Sequence, residues 1–267
     1  MMRGLHTPVR AIRRRVFKEV AQLGFKADED TLLADMEAIP YAIVNEDSEK
    51  YRESVYRARA IVRERLRLAM GLSLRPENKP VHLTAGVEAS NISEKYYEPP
   101  LMQVIPSACE SCEENKYEVS NICKGCLAHP CQEVCPKDAI SMVNGRSYID
   151  QEKCIKCGKC KSVCPYDAIA KKERPCQKAC GVNAIKSDKM GRAYIDNEKC
   201  VSCGMCMVSC PFGAISDKSQ IFQLARALSE GENVIAEIAP AFVGQFGDNI
   251  TPRNIKAALR ELGFSEV

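Results

Sequence analysis

Cysteine is missing from both ends of this 267-residue sequence, since none occurs in residues 1–108 or 211–267. All 16 cysteines therefore lie between Cys109 and Cys210. Such confinement excludes a disulfide framework that spans the whole chain. It indicates one cysteine-dense region between two segments of ordinary composition.

Two further absences limit the class of protein. No run approaches the roughly 18 apolar residues of a transmembrane helix, and a formal net charge of only +3 does not indicate a nucleic-acid partner. Residues 12–17 resemble a twin-arginine export signal, but charged residues follow them where an apolar segment would be needed. We therefore expect a cytoplasmic protein without a membrane span. Its reducing surroundings favour cysteines as metal ligands over disulfides.

The cysteine-dense region contains an internal repeat. Four segments share the pattern C-x3-C-[P/G]-x-x-A-I, and they begin at Cys131, Cys160, Cys176 and Cys206. A longer unit, YID-x-EKC-x2-CG-x-C, begins at Tyr148 and again at Tyr194. The region is therefore two copies of one module, and each module consists of two halves.

The spacing of the cysteines is that of a cubane iron–sulfur protein. The run C-x2-C-x2-C-x3-C-P begins at Cys154 and is repeated from Cys200. Three closely spaced thiolates on a tight loop can hold three irons of one [4Fe–4S] cluster, whereas the fourth cysteine reaches the other cluster of the pair. Residues 123–136 form a related run whose middle gap is wider by two residues. The predicted cofactors are therefore [4Fe–4S] clusters.

This exchange of the fourth cysteine predicts the ligands of three clusters. They are Cys123, Cys126, Cys131 and Cys164 for cluster one, Cys135, Cys154, Cys157 and Cys160 for cluster two, and Cys180, Cys200, Cys203 and Cys206 for cluster three. Cys176 and Cys210 then lack two partners, because Ala168 and Lys171 occupy the expected positions. The two unused cysteines complete the count, so cluster four is assigned to Cys109, Cys112, Cys176 and Cys210.

Zinc is the main alternative for these cysteines, because its structural sites also use C-x2-C pairs. Those sites usually combine two separated pairs, and a Cys-Pro step after three close cysteines is not their form. The alternative is stronger for the isolated pair Cys109 and Cys112. His129 is a second candidate ligand, but we expect an ordinary loop histidine because the cysteines already complete four sets of four.

The N-terminal part, residues 1–105, is predicted to be helical and to end in an extended linker. Apolar residues at helical spacing predict helices over 8–24, over 31–38 before Pro40, and over about 47–70. The arginines of the first and third helices interleave with the apolar positions. We therefore expect a solvent-exposed helix face and not a surface for an acidic partner. Residues 72–105 contain four prolines and little periodicity, which is typical of a linker.

Residues 217–267 predict the start of another domain. A helix over about 219–229 precedes a strand-like run at 234–238, and a second helix is capped at Thr251 and closed at Gly263. An isolated β–α unit of this size cannot bury its own apolar face. It is expected to dock on the cysteine-rich modules or to be the front of something larger.

These C-terminal residues resemble a known family. VIAEIAPAFVGQFG at 234–247 and ITPRNIKAALRELGFSEV at 250–267 resemble the entry into the catalytic domain of [FeFe] hydrogenases. The helical N-terminus and the ACESC segment at 108–112 resemble the monomeric group B branch of that family. The resemblance implies an electron wire that serves a hydrogen-forming di-iron centre. No cysteine follows Cys210, and TSCCP-like and MPC-like motifs are absent, so this chain alone is not expected to make or oxidise hydrogen.

The predicted fold class is α+β, in four parts. They are a helical N-terminal region with a linker (1–105), ferredoxin-like module one (106–170), ferredoxin-like module two (171–216) and a truncated start of a hydrogenase-like catalytic domain (217–267). Cys109 and Cys112 are expected to reach from module one to module two.

The predicted function is an electron-transfer relay of up to four [4Fe–4S] clusters. Its expected partners are a redox protein such as a soluble ferredoxin and the missing catalytic domain, without nucleic acid or membrane. The alternative is a stand-alone polyferredoxin or an electron-transfer subunit of another oxidoreductase. A structural metal-binding protein without redox function is the third hypothesis.

Overall fold

The structure is a computed structural model that describes residues 6–26, 28–45, 52–90, 99–247 and 249–267. Its α-helices are α1 (Pro8–Lys26), α2 (Glu29–Ile43), α3 (Val55–Ala69), α4 (Pro130–Glu133), α5 (Lys159–Ser162), α6 (Pro175–Lys178), α7 (Met205–Ser209), α8 (Ile221–Ser229) and α9 (Pro252–Glu261). Its strands are β1 (Met102–Val104), β2 (Lys116–Val119), β3 (Ile140–Val143), β4 (Arg146–Ile149), β5 (Ile169–Lys172), β6 (Ile185–Ser187), β7 (Ala193–Ile195) and β8 (Ile215–Asp217). Within these ranges no helix is both long and apolar enough to cross a membrane.

The chain folds as two compact units of mixed helix and short strand, so the fold class is α+β. The helical unit comprises Met1–Ala108 and Ser202–Val267, and the cysteine-rich unit comprises Cys109–Val201. The strands form two-stranded antiparallel sheets, with β1 and β8 in the helical unit. The pairs β2–β5, β3–β4 and β6–β7 lie in the cysteine-rich unit.

Four helices of the helical unit share one apolar core. Val20 of α1, Met36 of α2, Leu66 of α3 and Phe222 of α8 are almost completely buried in it. Gly24, predicted to end α1, instead lies inside that helix. A Cβ atom at this position would stand 2.7 Å from the Ala225 Cβ atom and from the Phe222 carbonyl oxygen. The glycine therefore permits close packing of α1 on α8, and it does not act as a cap.

The prediction that the arginines of α3 face solvent is wrong for Arg65 and Arg67, which are both buried. Arg67 donates to the carbonyl oxygens of Leu83 at 2.6 Å and Ala85 at 2.8 Å, and its burial lowers the pKa of the guanidinium from its ordinary value. Arg65 donates to the Gly213 carbonyl oxygen. Irregular loops leave carbonyl groups without strand or helix partners, and a long guanidinium side chain satisfies them from the helix.

Two predicted helix limits also differ from the structure. Helix α2 does not stop before Pro40 but continues to Ile43, because proline removes only its own N–H and the Val44 N–H still reaches the Pro40 carbonyl oxygen at 3.1 Å. The start predicted near residue 47 for the third helix lies outside the described residues. Helix α3 begins at Val55, where the Ser54 side chain accepts a hydrogen bond from the Arg57 N–H.

The predicted C-terminal β–α unit is present as a single bridge and a helix. Ile235 pairs in parallel with Glu266, and the Ala236 N–H donates to the Glu266 carbonyl oxygen at 2.8 Å. Helix α9 begins at the predicted cap, with the Thr251 side chain accepting from the Asn254 N–H, but none of its residues is buried. The apolar side chain of Phe246 is also mostly exposed.

Candidate metal centres

One cavity of the cysteine-rich unit is lined by Cys123, Cys126, Cys131 and Cys164. The first two lie on the loop after β2, the third on α4, and the fourth directly after α5. These four thiols are the set predicted for cluster one, and their role as ligands remains a prediction.

A second cavity of the same unit is lined by Cys135, Cys154, Cys157 and Cys160. Cys135 follows α4, whereas Cys160 lies on α5. Each cavity thus takes three thiols from one half of the repeat and one from the other half, which is the exchange that the spacing suggests. This second set is the one predicted for cluster two.

The C-x2-C loops that begin at Cys109, Cys123, Cys154 and Cys200 share one backbone feature. In each loop the residue before the second cysteine adopts a left-handed conformation, with φ of 45° at Ser111, 56° at Gly125, 59° at Lys156 and 55° at Ser202. Such a residue reverses the chain and turns consecutive N–H groups toward a common side, where they can stabilise an anion. The Lys156 N–H, for example, lies 3.4 Å from the Cys154 sulfur. The isolated 109–112 loop therefore has the same local form as the three loops of the cluster runs.

The half-motif C-[P/G]-x-x-A-I also has a structural explanation, which the sequence analysis missed. The residue before each alanine is left-handed, and the alanine N–H then points back at the cysteine sulfur. The left-handed residues are Asp138, Asp167, Asn183 and Gly213, and the N–H to sulfur distances are 3.3 Å for Ala139, 3.4 Å for Ala168, 3.2 Å for Ala184 and 3.4 Å for Ala214. Aspartate, asparagine and glycine are the residues that tolerate this conformation. Their recurrence at one position was the available signal.

His129 occupies a backbone position that glycine fills elsewhere. It is the N-cap of α4 with φ of 42°, and Gly158 and Gly204 are the left-handed N-caps of α5 and α7. Histidine is among the residues enriched at positive φ. This observation gives His129 a conformational role at the start of α4.

A serine hydroxyl group lies next to two thiols of the first cavity. Ser147 Oγ lies 3.3 Å from the Cys131 sulfur and 3.9 Å from the Cys123 sulfur, and the Ser147 backbone N–H helps to hold the pKa of the Cys123 thiol below its ordinary value. Beside the second cavity, burial raises the pKa of the Cys160 thiol. Hydrogen bonds to thiolate sulfurs favour the more negative, reduced state of a cluster.

The 109–112 loop is fixed to the second repeat by Arg174, whose side chain is only 2% exposed. Its guanidinium donates to the Cys112 carbonyl oxygen at 2.8 Å and to the Gly191 carbonyl oxygen at 2.7 Å. The Ala193 N–H lies 3.4 Å from the Cys109 sulfur. Because Arg174 immediately precedes α6, it joins the upstream loop to the segment that contains Cys176.

The remaining predicted ligands are divided between the two compact units. Cys180 and Cys200 belong to the cysteine-rich unit, whereas Cys203, Cys206 and Cys210 belong to the helical unit. Cys206 lies on α7 and is buried, and Cys203 is exposed. The assignment of these residues to clusters three and four remains a prediction.

The two lined cavities fit a thiolate-bound cluster. Each offers four sulfur donors around an open space, and no carboxylate is among the residues that line either one. Thiolates are soft ligands that bind iron–sulfur clusters, zinc and Cu(I). Among the residues that the structure describes, no three His, Cys, Asp or Glu side chains converge on a single-ion site. A group that fills a space, such as a four-iron cube, suits this arrangement.

Two family comparisons fall on these cysteines. Residues 123–174 match the LdpA Fe–S cluster-binding domain, and residues 193–216 match the 4Fe–4S binding domain. A ferredoxin 7Fe of Hydrogenibacillus schlegelii is 43% identical over 53 residues, which are 20% of this chain and 68% of that protein. The chain belongs to the ferredoxin family. Its cofactors are [4Fe–4S] clusters, as the cysteine spacing predicts.

Two further relatives are similar to part of the chain. An uncharacterised ferredoxin of Methanocaldococcus jannaschii is 33% identical in an alignment of 99 residues that covers 30% of this chain and 63% of that protein. The electron transport protein HydN of Escherichia coli is 37% identical over 71 residues, 26% of this chain and 41% of HydN. The chain thus spans less than two thirds of the length of these two relatives.

Proposed function

We propose that this ferredoxin-type chain is an electron-transfer relay with four [4Fe–4S] clusters. The observation that carries the proposal is the pair of cavities in one small unit, each lined by four thiols from two halves of a repeat. Clusters held in this way exchange single electrons without making or breaking bonds in the protein. The relative HydN is named an electron transport protein, which agrees with such a role.

The proposed cluster count rests on the 109–112 loop. This loop has the left-handed residue that the other three C-x2-C loops contain, and a buried arginine joins it to the segment before Cys176. The N-cap of α6, Arg174, is extended and not left-handed, since no C-x2-C loop precedes it directly in the chain. These observations support a common site for Cys109, Cys112 and Cys176, to which the cysteine count adds Cys210 as the fourth ligand.

Replacing Arg174 tests the fourth cluster. We expect Arg174→Met to lose one cluster, or about 4 iron atoms per chain, because the 109–112 loop loses the donor that joins it to the second repeat. Iron and sulfide analysis of anaerobically reconstituted protein measures the loss, and Arg253→Met on the exposed surface of α9 is the matched control. Arg174→Lys should retain part of the missing iron. Equal iron in both methionine variants would contradict the assignment.

Electron uptake tests the relay itself. Reconstituted protein is titrated with dithionite under argon, and EPR spectroscopy counts the reduced clusters. We expect about four electrons per chain, one for each cluster, and spin–spin broadening from neighbouring reduced clusters. Clusters that bind fully but accept no electron from dithionite would indicate a structural role and would overturn the proposal.

We propose more specifically that the chain exchanges electrons with an [FeFe] hydrogenase catalytic domain, either delivering them to it or drawing them from it. The resemblance of residues 234–247 and 250–267 to that domain motivates it. The unit around α9 supports it, because Ile235 is 64% and Phe246 63% exposed, so that an apolar face is left for further structure to cover. Reading the gene beyond the codon for Val267 tests this point. An open frame into cysteine-containing hydrogenase motifs supports it, and a stop codon overturns it without affecting the relay.

A stand-alone polyferredoxin, or an electron-transfer subunit of another oxidoreductase, is the second candidate. The observation in its favour is that the relatives are named as ferredoxins and as an electron transport protein. In either case the proposed partner is another redox protein. The stop codon that overturns the hydrogenase form is the result that this second candidate predicts.

A further inference from the structure

Four lysines surround the second cavity of the cysteine-rich unit. Lys137 and Lys159 line the cavity, while Lys156 and Lys161 lie on the adjoining loop and on α5. All four side chains are exposed, and none forms an ion pair with a residue that the structure describes. We call these residues the lysine rim. The rim adjoins Cys157, which is itself exposed, so that this site lies at the protein surface.

The internal repeat shows that the lysine rim is not needed to form a cluster loop. At the matching positions of the second module the residues are Val182, Ser202, Met205 and Met207. The backbone is nevertheless the same, with φ of 59° at Lys156 and 55° at Ser202, and left-handed glycine N-caps on both α5 and α7. Since uncharged residues serve the same local fold, that fold does not require the four positive charges.

The charge of the rim is large relative to the net charge of the chain. The whole sequence has a formal net charge of +3, and four positive charges are concentrated at this one site. Ile155, between two cysteines of the same loop, is 55% exposed and adds an apolar contact within the charged ring. A small apolar centre within like charges is typical of transient interfaces, where electrostatics sets the rate of association more than its strength.

We propose that the lysine rim docks an acidic one-electron carrier protein, which exchanges electrons with the chain at the Cys135, Cys154, Cys157 and Cys160 site. This inference rests on the proposed relay function and specifies where a partner enters. The reduced carrier gives up one electron and is oxidised, and this chain accepts that electron and is reduced. No proton is transferred and no covalent bond changes. Carboxylates on the carrier are attracted to the lysines and orient its redox group toward the exposed edge of the site.

The test measures how fast the reconstituted full-length chain is reduced by a purified acidic plant-type [2Fe–2S] ferredoxin in a stopped-flow spectrophotometer. The variant exchanges the rim for the residues of the second module: Lys137→Val, Lys156→Ser, Lys159→Met and Lys161→Met. The control removes the same number of exposed lysines elsewhere in the unit, by replacing Lys178, Lys186, Lys189 and Lys199 with serine. Iron content and EPR midpoint potentials are measured for every protein.

At low ionic strength we expect the rim variant to react at least tenfold more slowly than the wild type and to lose most of its salt dependence. The control should change by less than about twofold, with iron content unchanged in both. Because positive charges beside a cluster raise its potential, each rate is compared at the driving force that its measured potentials give. An equal loss in the control, or no loss in the rim variant, overturns the proposal. So does rim-dependent binding of RNA or anionic vesicles while the carrier rate is unaffected.

The relay and the docking surface fail in different ways. If dithionite reduces the wild-type protein while the rim variant reacts with the carrier as fast as the wild type, the docking proposal is wrong and the relay stands. If dithionite fails to reduce fully loaded wild-type protein, the relay itself is wrong.

Discussion

Cys164→Ala will cost the protein one cluster, and we expect the lost cluster to be the one assigned to Cys123, Cys126 and Cys131. Cys164 follows directly on the run 154–160, so a ligand set read along the chain would place it with those neighbours. The structure instead has its sulfur at the cavity lined by the three earlier cysteines. Iron content should fall by about 4 atoms per chain.

Pairs of substitutions identify which cluster is lost. Cys131→Ala added to Cys164→Ala should remove no further iron, because both thiols serve one site. Cys160→Ala added to Cys164→Ala should remove a second cluster, so that about 8 iron atoms are lost in total. Cys135→Ala is the mirror control, since it should combine without further loss with Cys160→Ala. If Cys160→Ala and Cys164→Ala together cost only one cluster, the exchange of the fourth ligand is wrong.

Gly125→Ala is the second substitution with a large expected effect. Gly125 has φ of 56°, and a Cβ atom there would overlap the Gly145 carbonyl oxygen of the β3–β4 turn. Backbone cannot move away as the end of a flexible side chain can, so the loop that holds Cys123 and Cys126 must shift. We expect loss of cluster one and a destabilisation beyond about 2 kcal/mol, since positive φ and steric overlap act together.

Gly145→Ala provides a matched control for this prediction. Gly145 also has a positive φ of 73°, but a Cβ atom there meets nothing within 4 Å. The control therefore tests the left-handed conformation alone, which costs roughly 1 kcal/mol in an alanine. Iron content and the urea midpoint of cluster loss measure both variants. Full iron in Gly125→Ala, or equal losses in the two variants, would show that close contact with the turn does not limit the loop.

The cofactor could be predicted from the sequence because cluster binding leaves a covalent pattern. Thiolates must follow one another at fixed intervals to wrap a cube, so the run from Cys154 to Pro165 already specifies the group that it binds. The αL residues within the motifs were harder to recognise. Asp138 and Asn183 look like ordinary loop residues until the structure shows their positive φ and the N–H groups that they direct at sulfur.

In the helical unit, local sequence patterns did not predict the burial of two arginines or the place of one glycine. Arginine at helical spacing predicts an exposed face, but Arg65 and Arg67 are buried because distant loop carbonyls need donors. Gly24 is an ordinary stop signal that the packing of α1 on α8 overrides. None of these outcomes depends on neighbours in the sequence. Each depends on a segment far along the chain, such as α8 beneath Gly24, which no window of sequence contains.

Arg174 illustrates the same limit within the cluster region. Counting cysteines leads to the pair Cys109 and Cys112 by elimination, since no other residues remain to complete four sets. The count does not reveal how a loop more than 60 residues upstream reaches the second repeat. Two hydrogen bonds from the buried Arg174 guanidinium to the Cys112 carbonyl oxygen contribute to that connection. A single arginine two residues before Cys176 gives no pattern that could be recognised beforehand.

The central claim is that 16 cysteines bind four clusters, and the iron and sulfide content of the reconstituted wild-type chain tests it most directly. Protein is reconstituted under argon, freed of unbound iron by gel filtration, and assayed for iron, acid-labile sulfide and protein by amino-acid analysis. We expect about 16 iron atoms and about 16 sulfide ions per chain. A reproducible value near 12 of each would contradict it and would leave Cys109, Cys112, Cys176 and Cys210 without their cluster.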